Sequence, residues 1–456
     1  MVRGEYHSRS GLVRRTIRAI VKARHPLNTK MVINRLKGLS QDERQKIRQI
    51  LAYHASRPCG IFVRIDGKYD LRSRRKVNLR RKILKQLKAQ GFILDGQIIN
   101  QPSDISKESI RALHLTSRAE KYLKNKQFLC DKEKNLLNYF ADGSEVDLHD
   151  VKPSLIAVNT GTIEAELFRY ASLLWSVPVS EGFGRRLRFL VLDECNNKLM
   201  GIFALGDPVF NLRCRDAWIG WDVHDRIERL YNIMDIFILG AVPPYNSLLA
   251  GKLVALAASS NEVRKMVFDR YNCTSTIIQK KHKDAHLALL TTGSALGKSS
   301  IYDRITFKGE LIYNRIGLSE GFGHFHLNNG IFQQMRDYLN LTIPEKAGRN
   351  RFGEGPNWKM RTTRESLKYL GLPENLLRHG IQREIYAIPL AGNFRSFLQR
   401  KEKVLHPYDL PFSDIVSYWK ERWFLPRAER KPEFRLHTRQ DLLRMIHSAD
   451  PGGIYD

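Results

Sequence analysis

Cations and flat aromatic rings are interleaved in one stretch of the last quarter of the chain, residues 349–361 (RNRFGEGPNWKMR). Guanidinium and ammonium groups bind phosphates, and aromatic faces stack on unpaired bases, so this combination is typical of proteins that bind single-stranded or unpaired nucleic acid. The alternative interpretation, of equal weight, is a loop whose aromatic rings cover a hydrophobic core. In the nucleic-acid interpretation the binding residues are Arg349, Arg351, Trp358, Lys359 and Arg361.

A second pattern places a charge pair, Arg215 and Asp216, beside two large aromatic residues, Trp218 and Trp221. Such a group forms either a buried ion pair beneath aromatic packing or a substrate pocket in which Asp216 would be the catalytic carboxylate. The buried pair is the interpretation we favour. A nuclease is a weaker alternative, because carboxylates are plentiful here but their spacing does not match a two-metal site. These carboxylates include Asp193, Glu194, Asp207, Asp222 and Asp235.

Three further patterns are incomplete as functional motifs. The run GSALGKS places three residues between Gly293 and Gly297, whereas a phosphate-binding P-loop needs four. His324 and His326 share one face of a strand but have no third metal ligand nearby. The 5 cysteines are widely spaced without a CxxC pair, which is typical of reduced thiols in the cytosol. We therefore expect no metal site.

The first residues of the chain, 1–25, do not predict a targeting peptide, because basic residues interrupt every apolar run. No segment approaches the roughly 20 apolar residues that a membrane span needs. We expect a cytoplasmic protein that has no membrane partner.

Positive charge is concentrated at the amino end of the chain. The formal net charge is +29, and residues 1–100 hold 25 Lys and Arg against 6 Asp and Glu. Solubility does not require this imbalance, whereas clustered cations release counterions from a polyphosphate and so bind nucleic acid. The sequence predicts a basic nucleic-acid-binding region in front of a nearly neutral body.

This basic region has the element order of a winged helix. Helices are predicted over residues 10–24 and 29–37, and a capping box formed by Ser40 and Glu43 begins a third helix. FVRI and KYDL then flank Asp66-Gly67, the dipeptide that favours a type I′ hairpin turn. Cations follow the hairpin directly, where a wing would reach phosphates. The predicted phosphate-binding residues are Arg14, Arg15, Arg18, Arg44, Lys46, Arg48, Arg72, Arg74, Arg75 and Lys76.

The next segment repeats a helix and a hairpin. Residues 77–90 predict a helix that ends at Gly91, and Asp95-Gly96 predicts the turn of a second hairpin. Helices over residues 106–124 and 131–140 complete a connector.

Apolar strands and helices alternate in the centre of the chain, which predicts a mixed α/β sheet. One strand runs into Pro243-Pro244, where it must splay because proline cannot donate to a ladder. A helix follows at once, and its free N–H groups could bind a pyrophosphate. The predicted strands are 156–159, 187–194, 198–207, 232–245, 287–292 and 310–316, and the predicted helices are 162–175, 246–258 and 299–305.

This order of elements resembles the fold of the acetyl-coenzyme A-dependent N-acetyltransferases, the GNAT fold. The resemblance implies that the broken strand and the following helix hold the cofactor, that Tyr302 is the catalytic acid, and that backbone around Leu249 and Gly251 binds the cofactor phosphates. The loop YNSLLAGKL departs from the GNAT pattern, since it lacks the usual Arg, Gln and additional Gly residues. An acetyl-coenzyme A-like donor is therefore not favoured, and the cofactor stays open. A GNAT-like transferase that modifies a nucleobase or a protein is the alternative function.

Longer segments resemble the DUF4338 family, whose members include a component of the Druantia anti-phage defence system. The resemblance implies a component of a multi-gene bacterial defence locus that also encodes a large helicase-like protein. It assigns no catalytic residues. The segments that carry it are 140–147, 166–194, 199–222, 232–259, 291–305 and 355–361.

The sequence thus predicts a mixed α/β (α+β) protein with four consecutive parts. They are a winged-helix-like nucleic-acid-binding region (1–75), a helix-hairpin connector (76–150), a GNAT-like core (151–340) and a helical carboxyl-terminal extension (341–456). In the extension, helices are predicted over residues 366–392 and 413–424. The predicted function is a nucleic-acid-binding component of an anti-phage defence system, which binds DNA rather than RNA and acts with other Druantia subunits, including the large helicase.

Overall fold

The computed structural model describes two compact units. The first unit comprises Met1–Asp104 and Phe322–Gly380, and the second comprises Ile105–Gly321 and Ile381–Asp456. Each unit therefore combines segments that are distant in the sequence, and the division into four consecutive parts stays a prediction. The described residues are 11–23, 25–57, 60–95, 98–100, 107–175, 184–274, 282–294, 296–299, 301–323, 327, 329–345, 358–378, 380 and 382–450.

Helices and strands follow one another along the described residues. The helices are α1 (Gly11–Ala23), α2 (Thr29–Arg35), α3 (Gln41–Ser56), α4 (Arg72–Ala89), α5 (Lys107–Lys124), α6 (Lys126–Leu136), α7 (Ile163–Ala171), α8 (Arg213–Ile219), α9 (Val223–Arg229), α10 (Ala250–Ala257), α11 (Asn261–Tyr271), α12 (Asn329–Thr342), α13 (Trp358–Leu370), α14 (Phe394–Leu398), α15 (Phe412–Trp419), α16 (Leu425–Arg430) and α17 (Arg439–His447). The strands are β1 (Leu27–Asn28), β2 (Phe62–Ile65), β3 (Lys68–Leu71), β4 (Ile93–Asp95), β5 (Ile98–Asn100), β6 (Pro153–Ala157), β7 (Arg186–Asp193), β8 (Lys198–Gly206), β9 (Ile233–Ala241), β10 (Leu289–Gly293), β11 (Thr306–Phe307), β12 (Glu310–Leu311), β13 (Asn314–Leu318) and β14 (Glu384–Pro389). Short 3-10 helices include Tyr245–Leu248 and Tyr302–Arg304, and a π-helix spans Lys420–Phe424.

The amino-terminal part of the first unit packs helices α1 to α3 against a small sheet of order β1-β3-β2. Helix α3 begins at the predicted capping box, in which the Glu43 backbone N–H donates to Ser40 Oγ (3.1 Å) and the Ser40 N–H donates to Glu43 Oε2 (3.0 Å). Asp66 and Gly67 adopt φ values of 48° and 74°, as the predicted type I′ turn between β2 and β3 requires. These local predictions are confirmed.

Helix α4 begins at Arg72, directly after β3. The helix predicted over 77–90 therefore begins five residues earlier than predicted, and the cations at 72–76 lie in its first turns. The helix ends close to the predicted position, where Gly91 has a φ of 85°. Its buried residues Leu79, Ile83 and Leu87 pack with α12 and α13 in a helical core of the first unit.

The second unit is built on a seven-stranded sheet of order β13-β14-β10-β9-β8-β7-β6. Strands β9 and β10 pair in parallel, and the other neighbouring pairs are antiparallel. Helix α10 packs on β8 and β9 with Leu253, Val254 and Leu256 fully buried. The mixed α/β class predicted from the sequence is confirmed.

Strands β9 and β10 separate after a short parallel contact. Their paired residues run from Ile233 and Leu289 to Asp235 and Thr291, whereas β9 continues to Ala241. We call the region beyond Asp235 and Thr291 the sheet opening. The strand thus ends earlier than predicted, and α10 starts later, because the 3-10 helix Tyr245–Leu248 lies between them.

Two predictions in the last third of the chain are wrong in their bounds. The strand predicted over 310–316 is divided into β12 and β13, and the helix predicted over 366–392 is α13, which ends where Gly371 adopts a φ of 67°. The helical stripe predicted over 413–424 is confirmed, with Ile415, Trp419 and Trp423 buried. Within the described ranges, every helix is too short or too polar to cross a bilayer.

Candidate functional site

The exposed face of α1 carries a row of cations. Arg14, Arg15 and Arg18 are exposed, whereas Val13 and Ile20 are buried in the core of the first unit. Arg15 lies 3.6 Å from the carboxylate of Glu43 and donates to the Lys37 carbonyl oxygen (3.3 Å). Arg14 and Arg18 form no ion pair with any described residue and are open to an external anion.

Two cations of α3 lie one turn apart on its exposed surface. Arg44 and Arg48 are exposed, and Arg48 Nη1 lies 3.5 Å from Gln45 Oε1. Lys46 is half-buried and pairs with Asp42 at 3.0 Å. Arg44 and Arg48 are therefore better placed than Lys46 to contact a ligand.

Arg72 and Arg74 use their guanidinium groups inside the first unit. Arg72 donates to the carbonyl oxygens of Phe62 (3.1 Å), Arg57 (2.9 Å) and Leu341. Arg74 donates to Asp70 Oδ1 (3.0 Å) and to carbonyl oxygens at the end of α1. Their phosphate binding stays a prediction, and these contacts give both arginines a structural role.

The outer face of α4 carries cations that the sequence reasoning did not single out. Arg81, Lys85 and Lys88 are exposed, at the i, i+4, i+7 spacing that places residues on one face of a helix. The sequence signal for these residues is their helical spacing on the face opposite the apolar positions Leu79, Ile83 and Leu87. Of the predicted residues on α4, Lys76 is exposed, and Arg75 is half-buried with its Nε lacking an acceptor among the described atoms.

The stretch that mixes cations with aromatic rings is described only from Trp358 onward, so Arg349 and Arg351 lie outside the described residues. Trp358 begins α13 and packs edge-to-face on Phe332 of α12, with ring centroids 5.6 Å apart. Lys359 Nζ lies 5.8 Å from the centroid of the Phe332 ring. Trp358, Lys359 and Arg361 are half-buried, so these residues cover part of the helical core while keeping some exposed surface.

Asp216 is saturated with hydrogen bonds. It accepts from Nε and Nη2 of fully buried Arg215 (2.9 and 2.7 Å), from Arg226 Nη1 (2.8 Å) and from the Trp221 indole (3.1 Å). Arg215 also donates to the carbonyl oxygens of the loop before α8. Both carboxylate oxygens are thus occupied by donors of the protein itself, which favours the buried ion pair over a catalytic role for Asp216.

The other carboxylates considered for a nuclease are mostly engaged in structural contacts. Asp193 is buried and accepts from the Tyr245 hydroxyl (2.8 Å), Asp207 pairs with Arg185 (2.7 Å), and Asp222 caps α9. Across the part of the chain that the structure describes, no three His, Cys, Asp or Glu side chains are placed to share a metal ion. His324 and His326 lie outside the described residues.

The sheet opening brings together two groups that could move a proton. Burial raises the pKa of Asp235 to about 6, although the Thr291 hydroxyl (2.9 Å) and the charges of Arg215 and Arg186 act to lower it. Burial also raises the pKa of Tyr302 to about 12, with a further contribution from the charge of Asp235. A carboxyl with a pKa of about 6 and a phenol that stays protonated are groups that acid–base chemistry can use.

The Tyr302 ring is fixed by aromatic packing. It stacks on Tyr313 with centroids 5.0 Å apart and planes 13° apart, and it meets Tyr386 edge-on at 5.1 Å. The Thr292 hydroxyl of β10 donates to the Ile236 carbonyl oxygen of β9 (2.9 Å), one residue beyond the last backbone-paired residues of the two strands. Tyr302 is therefore rigidly placed at this opening.

The residues predicted to hold cofactor phosphates lie at the start of α10. Leu249 adopts a left-handed φ of 60° and no side chain caps the helix. A Cβ at Gly251 would meet nothing within 4 Å, so space is open there. The Leu249 carbonyl oxygen, however, accepts from the indole of Trp419 (3.1 Å).

Trp175 covers the far part of β9, where the GNAT resemblance implies that a cofactor lies. Its indole donates to the Leu239 carbonyl oxygen (3.3 Å), and a Cβ at Gly240 would approach the Trp175 ring to 2.6 Å. With Trp175 in this position and only one glycine at the start of α10, the described residues do not fit an acetyl-coenzyme A-like donor.

Comparisons with known proteins identify relatives of the chain. The family model described as Druantia protein DruA matches residues 104–400. The curated Druantia protein DruA of Escherichia coli (strain UMEA 4076-1) is 43% identical over 374 residues, which cover 82% of this chain and 92% of that protein. The comparison with solved structures gives no match.

Proposed function

The chain belongs to the family of Druantia protein DruA, and on this premise we propose that it is a nucleic-acid-binding component of a bacterial anti-phage defence system. The first unit binds nucleic acid mainly through phosphates, and the protein acts with other Druantia subunits, including the large helicase. Family membership supports the defence role, and the cations of the first unit support nucleic-acid binding. Such a protein meets phage DNA in the bacterial cytoplasm.

The observation that carries the nucleic-acid proposal is a set of exposed cations that have no ion pair with any described carboxylate. Like charges repel one another, and a polyphosphate supplies the missing counter-charge while it releases its condensed cations. Helix α4 adds to the effect because it contains no acidic residue. The set consists of Arg14 and Arg18 of α1, Arg44 and Arg48 of α3, and Arg81, Lys85 and Lys88 of α4.

The elements of the first unit support a winged-helix-like mode of binding. Helices α1 to α3 are followed by the β2–β3 hairpin, and α3 presents Arg44 and Arg48 on an exposed face. The major groove of B-form DNA admits a helix, whereas that of A-form RNA is too narrow for side chains to read. This difference favours duplex DNA as the ligand.

The test is the salt dependence of DNA binding by the full chain. With about 6 phosphate contacts, the affinity for a duplex of about 30 base pairs falls roughly 10³-fold between about 50 and 200 mM salt. Replacing Arg14, Arg18 and Arg44 by Gln lowers the slope of log affinity against log salt by about 3. A binding curve that does not respond to salt would contradict the proposal.

A GNAT-like transferase that modifies a nucleobase or a protein is the second candidate. It is supported by the parallel contact of β9 and β10 within an otherwise antiparallel sheet and by Tyr302 beside Asp235. Two features count against it: the Trp175 ring covers the far part of β9, and the start of α10 has only one glycine. Calorimetry with acetyl-coenzyme A, together with phage protection by a Tyr302→Phe variant, separates the two candidates. No heat and full protection would remove the transferase.

A further inference from the structure

Three cations from three separate elements of the second unit meet beside α10. Lys252 lies on α10, Arg304 in the 3-10 helix after β10, and Arg422 in the π-helix that follows α15. Lys252 Nζ donates to the Arg304 carbonyl oxygen (3.3 Å) and lies 4.2 Å from the centroid of the Trp423 ring. These two contacts hold Lys252 beside Arg304 and beside Trp423, the residue that follows Arg422.

The structure shows no ion pair for these cations in the described part of the chain, although Asp303 and Glu421 precede Arg304 and Arg422 in the sequence. None of them forms an ion pair with a described carboxylate, and Arg304 and Arg422 are exposed. Asp303, the acidic residue adjacent to Arg304, lies 2.9 Å from the Tyr386 hydroxyl instead. Burial lowers the pKa of Lys252, and the positive charges of Arg422 and Arg304 lower it further. Lys252 is therefore close enough to Arg304 and to Arg422 to be repelled by both.

Arg427, five residues after Arg422, differs from Arg304 and Arg422 because its guanidinium has an acceptor within the protein. Arg427 of α16 is half-buried, and its Nε donates to the Ser247 carbonyl oxygen (3.1 Å), which joins α16 to the turn before α10. No such acceptor is present for the Arg304 and Arg422 side chains among the described residues. The guanidinium N–H groups of Arg304 and Arg422 are therefore available to an external ligand.

We propose that Lys252, Arg304 and Arg422 bind a phosphate group of a nucleotide or nucleic acid. A phosphate presents several anionic oxygens in a small volume, so one group can accept from an ammonium and two guanidiniums together. The site deepens the proposed function, because it adds a phosphate contact in the second unit to those of the first. Two of its residues, Lys252 and Arg304, lie within residues 104–400, which the family model matches, and Arg422 comes from the extension beyond.

The experiment measures binding of three probes to the full chain: inorganic pyrophosphate, coenzyme A and a single-stranded oligonucleotide. Single Lys252→Gln, Arg304→Gln and Arg422→Gln variants weaken binding of the probe that uses the site by about tenfold each, because each removes one charge-assisted contact. Lys265→Gln and Lys401→Gln remove exposed lysines elsewhere in the second unit and leave the affinity unchanged. Thermal unfolding of each variant shows that it is folded, and Arg422→Lys, which keeps the charge, retains part of the affinity.

The three probes identify the source of the phosphate. Weakened pyrophosphate and coenzyme A binding indicates a free nucleotide, and weakened oligonucleotide binding indicates nucleic acid. A variant with Arg81, Lys85 and Lys88 replaced by Gln retains pyrophosphate binding, so the site can stand even if the first unit binds no DNA. The site is overturned if the unmodified chain binds none of the probes, or if the three substitutions leave every affinity unchanged.

Discussion

The guanidinium of Arg74 donates to the carbonyl oxygen of Ile20 at 2.7 Å, which joins the start of α4 to the end of α1. Carbonyl oxygens at the end of a helix carry partial negative charge and lack partners within the helix, so a cation there is stabilising. A second bond to the Val21 carbonyl oxygen (3.1 Å) and the ion pair with Asp70 (3.0 Å) fix the side chain. Arg74 thus links α1, the hairpin and α4.

We expect Arg74→Ala to lower the free energy of unfolding by about 2 kcal/mol, because it removes charged hydrogen bonds from a mostly buried site. Arg81→Ala on the exposed face of the same helix leaves stability unchanged. Urea denaturation followed by circular dichroism measures both. A variant at position 74 that keeps full stability but loses DNA affinity would show instead that Arg74 binds phosphate directly.

For the exposed cations of α4 we expect a loss of DNA affinity rather than a loss of stability. Replacing Arg81, Lys85 and Lys88 together by Gln reduces the slope of log DNA affinity against log salt by about 3, since each cation neutralises one phosphate. Binding to unrelated sequences weakens equally, because phosphates carry no sequence information. Fluorescence anisotropy at several salt concentrations measures the slope. The matched variant with Lys265 and Lys401 replaced keeps the original slope, and an unchanged slope in the α4 variant would exclude these residues as phosphate contacts.

Local signals were sufficient to predict the capping box at Ser40 and the turn at Asp66, because each depends on residues a few positions apart. The start of α4 was not predictable in this way. The guanidinium groups of Arg72 and Arg74, in the first turn of α4, donate to carbonyl oxygens distant in the sequence, those of Leu341 and Ile20. The same limit applies to the sheet, in which β14 lies between β10 and β13, an order set by long-range pairing rather than by any local pattern.

The candidate site shows a similar division. The order of elements points to Tyr302, but the effect of the Asp235 charge on its pKa depends on tertiary packing, which no local pattern reveals. The sequence predicts the pair of Asp216 with Arg215, which the structure contains, whereas the further bond from Arg226 depends on tertiary packing. Charge and residue type therefore indicated candidates, and only tertiary packing shows which of them are available to a ligand.

The raised pKa of Asp235, about 6, predicts a specific pH dependence of stability. The folded state binds this proton more tightly than the unfolded state does, so the stabilisation is complete below the ordinary carboxyl pKa and is lost as the pH rises through about 6. Asp235→Asn cannot ionise. Its melting temperature relative to the unmodified protein therefore increases between about pH 4 and pH 7. Differential scanning calorimetry measures the difference, and Asp269→Asn, at an exposed position of α11, follows the unmodified protein throughout.

Gly143 and Gly251 predict opposite responses to the same added methyl group. A Cβ at Gly143 would lie 2.0 Å from the Phe434 carbonyl oxygen and 2.7 Å from backbone atoms of Arg435. The Gly143 N–H also donates to the His437 carbonyl oxygen (2.7 Å), so this backbone cannot move away without losing a bond.

We therefore expect Gly143→Ala to lower the free energy of unfolding by about 2 kcal/mol or more, as overpacking does. Gly251 lies in the first turn of α10 with open space around it, and alanine there raises stability by up to about 1 kcal/mol through helix propensity. Chemical denaturation of the two variants gives both values. A loss of stability in Gly251→Ala would contradict the open space that the structure shows at this position.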